Sequence, residues 1–306
     1  MKGLTIAILS CACFGLAPVF EKTLMLYMSP LALACLRSLA AGFLLLFVME
    51  AIHKIREIRD INRHDALLLV FIAGMVGVFG PLFYLTGLKT TSVANALLIG
   101  RSNSMLIALL GWIILREEWT IHQVIGSVLM LTGLIVIFTR GFTLGYQFMH
   151  GDLFIAGAAV MWATSSVLMK RYLCHLPPEV IVVARNMIGG LILLVFAFSE
   201  VQEIQLNPKL PFYLTGLAVF GVIMAQLLWY TALEHTTASN VGLTSISIPI
   251  FGTIFAALFL GEQLLTYQMM GGAMVILGLT AMEIHLSTTK LHQLECSIKT
   301  HLHFHH

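Results

Sequence analysis

The chain is divided into ten long apolar runs that are joined by short polar connections. A hydrocarbon core of about 30 Å requires roughly 20 consecutive apolar residues in each helical span. Backbone amides inside lipid find no water, so the runs must form helices that satisfy their own hydrogen bonds. The pattern therefore predicts an all-α membrane protein with ten transmembrane helices. The predicted spans are Leu4–Phe20, Leu31–Met49, Ala66–Leu85, Val93–Leu115, Ile121–Phe138, Leu153–Met169, Val180–Phe198, Phe212–Leu233, Val241–Leu260 and Thr266–Ile284.

The composition agrees with a protein that lies in the bilayer. Hydrophobic residues make up 58% of the chain and charged residues 10%, against about 25% charged residues in soluble domains. The formal net charge of +2 is too small to indicate a polyanionic partner. The expected partners are a small-molecule substrate and the lipid bilayer, with no nucleic acid, and a homodimer is left open.

The two halves of the chain repeat each other at nearly fixed offsets. The matched pairs at an offset of 148 residues are Lys22 and Lys170, Pro30 and Pro178, Arg37 and Arg185, and Gly42 and Gly190. Those at an offset of 145 are Leu88 and Leu233, Asn95 and Asn240, Glu117 and Glu262, Gly126 and Gly271, and Gly133 and Gly278. A repeat of five spans is odd, so the second copy must enter the membrane from the opposite side. The sequence predicts inverted repeats over 1–140 and 141–286, and a cytoplasmic His-rich tail over 287–306.

Basic residues set the predicted orientation. Of the seventeen Lys and Arg residues, three lie within spans, four lie outside when the N-terminus is inside, and the remaining ten lie inside. The four outside are Lys22, Lys89, Arg140 and Lys209. Short loops rich in Lys and Arg stay in the cytoplasm. Both termini are therefore predicted to be cytoplasmic, in the cell membrane, or in the inner membrane of a Gram-negative source.

Motifs in the two halves resemble a known family. Each half has an aromatic residue in its first helix ("CFGLAPVFEK", "MWATSSVLMK") and an Arg early in its second ("LRSLAAGFLLL", "ARNMIGGLILL"). Each also ends with a Glu before a glycine-spaced helix ("LREEWTIHQVIGSVLMLTGL", "LGEQLLTYQMMGGAMVILGL"). Together they resemble the EamA-domain family of the drug/metabolite transporter superfamily. The resemblance implies a carrier that moves small organic solutes, often outward, by alternating access through a central cavity.

The stretch "LLIGRSNSML" puts Arg101 and Asn103 inside an apolar run. An arginine near the bilayer centre costs about 2.5–3.5 kcal/mol and cannot lose its proton, so it must have partners. The second half has Ile246 and Pro249 at the positions of Arg101 and Ser104, so this polar stretch is special to one half. Contact with the solute and pairing with neighbouring helices are both open for Arg101. Structural roles are expected for the two repeat-related intramembrane cations, Arg37 and Arg185.

Aromatic and small polar residues near the middle of the spans complete the predicted substrate site. Such residues suit a cavity of solute size. Further candidates beside Arg101 and Asn103 are Phe14, Tyr84, Trp162, Ser165, Gln226 and Tyr230.

The sequence favours a carrier without a bound cofactor or metal. No Asp, Glu or His lies in the interior of the ten spans, since His122 and Glu283 lie at span ends, and this favours uniport or solute exchange over a built-in proton relay. The His-rich tail "THLHFHH" lacks the fixed framework of a metal site. The expected cargo is an amino-acid-like zwitterion or an anion, exported or exchanged, and no enzymatic activity is predicted. A larger nucleoside-type or drug-like amphiphile remains an alternative, as does a receptor or an intramembrane enzyme.

Overall fold

The structure is a computed structural model, and all regular structure in the residues that it describes is helical. The described residues are 2–51, 62–116, 118–141, 150–173, 175–176, 178–202, 204, 207–236, 241 and 244–286. The α-helices are α1 (Lys2–Leu24), α2 (Pro30–Ala51), α3 (Arg63–Thr90), α4 (Val93–Gly100), α5 (Ser102–Leu110), α6 (Ile121–Phe138), α7 (His150–Tyr172), α8 (Pro178–Gln202), α9 (Leu210–Gly216), α10 (Ala225–His235), α11 (Ser247–Phe255) and α12 (Thr266–Leu286). Three π-helical segments adjoin them, namely π1 (Gly111–Leu115), π2 (Leu217–Met224) and π3 (Ala256–Leu260).

Seven stretches of the described chain are long and apolar enough to cross a membrane. They are Gly3–Leu24, Pro30–Phe47, Asp65–Thr90, Val93–Leu115, Ile121–Phe138, His150–Tyr172 and Val180–Glu200. Each overlaps one of the first seven predicted spans. The last three predicted spans fall on helical segments around α9 to α12, and the full count of ten remains a prediction.

The outer surface of the bundle is apolar, as a lipid-facing surface requires. Val195, Phe47 and Leu258 are more than 70% exposed, and many other large apolar side chains are also exposed. A soluble fold would bury such groups, since each contributes about 1.5–3 kcal/mol when it leaves water. The exposed apolar surface therefore agrees with a multi-pass membrane protein.

Close approach of small residues joins the two halves. A Cβ atom built on Gly126 of α6 would lie 2.5 Å from the carbonyl oxygen of Gly278 in α12. One built on Gly133 would lie 2.6 Å from the carbonyl oxygen of Gly271. Any larger side chain would push these helices apart. Gly126 and Gly271 are repeat partners at the 145-residue offset, and so are Gly133 and Gly278. The repeat therefore maps the first of these contacts onto the second.

The contacts between α2 and α8 are also related to each other by the repeat. A Cβ atom on Gly42 would lie 2.6 Å from Sδ of Met187, and one on Gly190 would lie 2.8 Å from Cδ2 of Leu39. Gly42 and Gly190 are partners at the 148-residue offset, and so are Leu39 and Met187. The repeat found in the sequence thus extends to individual packing contacts.

Two apolar runs are interrupted at equivalent positions. The run from Val93 breaks at Arg101, which lies in a turn between α4 and α5. In the second half, Ile246 lies in a turn immediately before α11, 145 residues further on. Each run then ends in a π-helix and a left-handed residue, Arg116 (φ 57°) and Gly261 (φ 66°). The break therefore occurs in the half without a proline as well as in the half with one.

Polar side chains tie the two halves together at one end of the bundle. Nζ of Lys22 donates to Oε1 of Glu262 and to the carbonyl oxygen of Thr91, both at 2.6 Å. Oε2 of Glu262 accepts a hydrogen bond of 2.9 Å from the backbone N–H of Val93, the first residue of α4. Glu262 therefore holds the end of α1 and the start of α4 at the same point.

Candidate solute-binding cavity

A cavity of about 570 Å³ lies between the two halves, and both interrupted runs border it. Gly100, Arg101 and Asn103 line it from the first half, and Ser245 and Ile248 line it from the second. An interrupted helix leaves backbone groups without their usual partners, and these groups can bind polar solutes inside a membrane protein. The cavity is therefore bordered by both turns that interrupt the apolar runs.

Two aromatic pairs line the cavity. The rings of Tyr84 and Trp162 have centroids 5.6 Å apart, and those of Phe14 and Trp229 have centroids 6.0 Å apart in an edge-to-face arrangement. All four residues line the cavity. Phe14 and Trp162 are partners at the 148-residue offset, and Tyr84 and Trp229 are partners at 145. Each half thus supplies one ring to each pair, and rings in such pairs gain about 0.5–1.5 kcal/mol beyond their burial.

Charged side chains complete the described lining. Oε1 of Glu21 accepts a hydrogen bond of 2.5 Å from Nη1 of Arg37, and the Glu21 side chain is 2% exposed. Arg101 and Arg185 also line the cavity. Three guanidinium groups and one carboxylate give this lining a formal charge of +2. The described lining of the cavity is therefore basic.

Helices that extend beyond the predicted spans bring two buried acidic residues, each near a helix end, into the candidate membrane spans. Helix α1 continues to Leu24, so it includes Glu21, and α7 begins at His150, so it includes Asp152. Both lie inside candidate membrane spans, and both are 2% exposed. The carboxylate of Asp152 accepts a hydrogen bond from the hydroxyl of Thr91. Burial is tolerated in each case because the carboxylate has a specific partner.

The structure brings most of the predicted substrate-site residues together. Phe14, Tyr84, Arg101, Asn103 and Trp162 all line the cavity. The two expected structural cations, Arg37 and Arg185, line it as well, so their position alone does not separate them from Arg101.

The remaining predicted residues lie apart from this group. The hydroxyl of Ser165 is buried and lies 3.5 Å from Sδ of Met169, and Ser165 is not among the lining residues. Gln226 and Tyr230 lie in α10, but their side chains fall outside the described part of the structure. The His-rich tail also falls outside it. Within the described residues, no group of three or more His, Cys, Asp or Glu is placed to hold a metal ion.

Sequence reasoning missed several residues that line the cavity. The described ones include Glu21, Asn186, Trp229 and Ser245. Trp229 was detectable, because it is the repeat partner of Tyr84 and a site that follows the repeat symmetry contains both. Asn186 follows Arg185 directly, which is a weaker signal.

Comparisons with known proteins agree with this architecture. The model of the EamA-like transporter family matches residues 1–139 and 149–283. An uncharacterized transporter of Methanothermobacter thermautotrophicus is 28% identical over 87% of this chain and 81% of its own length. The uncharacterized transporter YyaM of Bacillus subtilis is 29% identical over 82% of this chain and 84% of its own length. A solved crystal structure with 17% identity has a TM-score of 0.65 and covers 94% of this chain and 99% of its own, which supports the fold alone.

The apolar spans and the central cavity are those of a membrane transporter for small molecules. The family match covers most of the chain, and the chain belongs to the EamA-like transporter family.

Proposed function

We propose that the chain is a ten-span carrier that moves a small organic anion or an amino-acid-like zwitterion across the cell membrane by alternating access. The carrier exports its cargo or exchanges it for another solute, and both of its termini lie in the cytoplasm. The cargo binds in the cavity of about 570 Å³ between the halves. The protein acts without a cofactor and catalyses no chemical reaction on its cargo.

The lining of that cavity is the observation that carries the proposal. Arg37, Arg101 and Arg185 supply three guanidinium groups, and a guanidinium can bind a carboxylate or phosphate through two parallel hydrogen bonds. A low effective dielectric constant at this site would make these charge-assisted bonds stronger than they are in bulk water. The aromatic pairs provide apolar surface for the rest of the solute.

Contacts that the repeat maps onto each other support the proposal of inverted repeats and of alternating access. The repeat maps the contact between Gly126 and Gly278 onto that between Gly133 and Gly271, and it maps one aromatic pair onto the other. An inverted repeat places an equivalent gate on each side of a central site. Movement of one half relative to the other can then open the cavity to each side in turn.

A larger amphiphile, such as a nucleoside-type metabolite or a drug, is the second candidate. The volume of the cavity and its four aromatic rings favour it, since ligand pockets of about 300–1,000 Å³ bury drug-sized molecules. A cargo of this kind would depend on the rings more than on the arginines.

A thermal-shift screen of the purified protein tests the proposal. The probes are phenylpyruvate, phenylalanine, succinate, inorganic phosphate and uridine, which separate anion, zwitterion and nucleoside. A ligand that binds only the folded state stabilises it by RT ln(1 + [L]/Kd), so millimolar concentrations reveal weak binding. We expect stabilisation by an anion or by the zwitterion, and uptake of the same probe into liposomes. Stabilisation by uridine alone would favour the second candidate, and no stabilisation with no uptake would overturn both.

A further inference from the structure

Glu21 is a buried carboxylate in the wall of the proposed solute cavity. It lies on α1, inside a candidate membrane span, and 2% of its side chain is exposed. Nη1 of Arg37 donates to its Oε1 at 2.5 Å. The Arg37 side chain is 31% exposed, so the pair lies at the surface of the cavity and is not sealed within the packed helices.

The charged and titratable groups around this pair come from several helices. Those in the described lining are Arg37 from α2, Tyr84 from α3, Arg101 between α4 and α5, and Arg185 from α8. Lys22 follows Glu21 in the chain, but its ammonium group is bound to Glu262 and Thr91 at the end of the bundle. Among the described residues of the lining, Glu21 is therefore the acidic member, and the other charged members are arginines.

An anion that enters this cavity must affect the ionisation of Glu21. Two negative charges that share one poorly solvated site repel each other, and this repulsion favours protonation of the carboxylate. The anion also competes with Glu21 for Arg37, and a buried carboxylate that loses its partner is costly unless it takes up a proton. Arginines cannot act in place of Glu21, because their guanidinium groups stay charged.

We propose that Glu21 is a proton-binding site that couples one proton to each anion that the carrier moves. The proton binds to the carboxylate oxygen that Arg37 releases, and the anion takes the guanidinium in its place. No other bond forms or breaks, and a monovalent anion and its proton cross together without net charge. This inference rests on the proposed function, but it replaces the proposed export or exchange with co-transport of the two ions, which an inward proton gradient drives into the cell.

Binding linkage makes the coupling measurable. If an anion favours protonated Glu21, protonation of Glu21 must favour the anion by the same factor. The affinity then falls as the pH rises, by up to about ten-fold in Kd for each pH unit when one proton is taken up. Because buried anions prefer a protonated neighbour, the stronger binding lies on the acidic side.

The test measures the Kd of phenylpyruvate between about pH 5.5 and pH 8.5, a range in which ordinary carboxylates keep their charge. The proteins are the full chain, Glu21→Gln and Arg37→Gln. Glutamine has the shape of protonated Glu21, so Glu21→Gln should bind as tightly at high pH as the unaltered protein does at low pH, with a flat profile. Arg37→Gln should also give a flat profile, because Glu21 without its partner stays protonated. It should bind about ten-fold more weakly than Glu21→Gln, because a guanidinium has been lost.

These outcomes separate the possible roles of the pair. If Glu21 and Arg37 only hold α1 against α2, both variants lower the melting temperature while the slope of Kd against pH stays as in the unaltered protein, and the coupling is overturned. A pH-independent Kd in the unaltered protein also overturns it, but leaves the carrier proposal standing. Absence of phenylpyruvate binding at every pH, together with no response to the other probes, overturns the carrier proposal itself.

Uptake into liposomes gives a second readout. In liposomes with the unaltered protein, an acidic exterior should raise the internal phenylpyruvate concentration above the external one. Glu21→Gln should still exchange internal for external phenylpyruvate, but should lose the accumulation that the pH gradient drives. Accumulation by Glu21→Gln equal to that of the unaltered protein would exclude Glu21 as the proton site.

Discussion

Tyr84 and Trp162 lie against each other in the cavity wall, with ring centroids 5.6 Å apart and ring planes inclined by 43°. Gly80 lies one turn before Tyr84 on α3, and a Cβ atom there would lie 2.7 Å from Nε1 of Trp162. The indole can reach Tyr84 only because position 80 has no side chain. The position of the ring is thus set by a residue that carries no chemistry of its own.

Gly80→Ala should displace Trp162 and weaken phenylpyruvate binding by roughly three- to ten-fold, and it should also lower stability, since overpacking typically costs about 1–3 kcal/mol of folding free energy. Isothermal titration measures the Kd, and thermal melting measures the stability. Gly100→Ala is the matched control for stability, because no atom lies within 4 Å of a Cβ atom built there. Unchanged affinity in Gly80→Ala would mean that the indole does not contact the solute.

Arg101→Lys should weaken binding of a carboxylate probe about as much as Arg101→Gln does. Lysine keeps the charge but cannot form the two parallel hydrogen bonds of a guanidinium, which are worth roughly ten-fold in affinity. The measurement is the Kd of phenylpyruvate, with Arg63→Gln at an exposed position as the control. If Arg101 instead holds neighbouring helices, Arg101→Gln will lower the melting temperature and leave the Kd as it was.

Glu262→Ala should destabilise the protein by about 1–3 kcal/mol, because it leaves the N–H of Val93 and the ammonium of Lys22 without their shared partner. Glu262→Gln keeps one acceptor oxygen and should cost less. Thermal melting in detergent checks the order of the two variants, and Glu118→Ala, at an exposed position, is the control. Equal melting temperatures for all three would show that the contact adds nothing to stability.

The proposed orientation can be tested with an impermeant thiol reagent on intact cells. In a chain whose five native cysteines are replaced, Lys209→Cys should be labelled and Arg63→Cys should be protected, because the first lies outside and the second inside. Both positions are exposed in the structure. Labelling of Arg63→Cys would place the termini on the outer side of the membrane.

The apolar runs predicted the positions of the spans well. The sequence predicted the contacts of individual polar residues less well. Seven predicted spans overlap candidate membrane spans, because the thickness of the bilayer largely sets the length of a span. The position of Asn95 near the start of a run predicts a helix cap, but Oγ of Ser92 accepts the capping hydrogen bond from the N–H of Asn95. The amide of Asn95 instead accepts a hydrogen bond of 2.7 Å from Gln268 on α12, a contact that connects distant parts of the chain.

Glu21 and the break at Arg101 show why the cavity was only partly predictable. The apolar run stops at Phe20, whereas α1 extends one turn further and includes Glu21, whose carboxylate accepts a hydrogen bond from Arg37 of α2. Arg101 interrupts its helix without a proline, so the sequence carries no breaker residue other than Gly100. Both features depend on partners that are remote in sequence, and a reading of local patterns cannot include them.

The glycine contacts between α6 and α12 have a mechanical consequence. At Gly126 and Gly133 the backbone of one helix touches the backbone of the other, so neither helix can slide by a residue without a collision. A carrier that rocks needs one part that stays still while the rest turns about it. In the cycle proposed above, α6 and α12 are the part that stays fixed, and the broken helices beside the cavity are the parts that move.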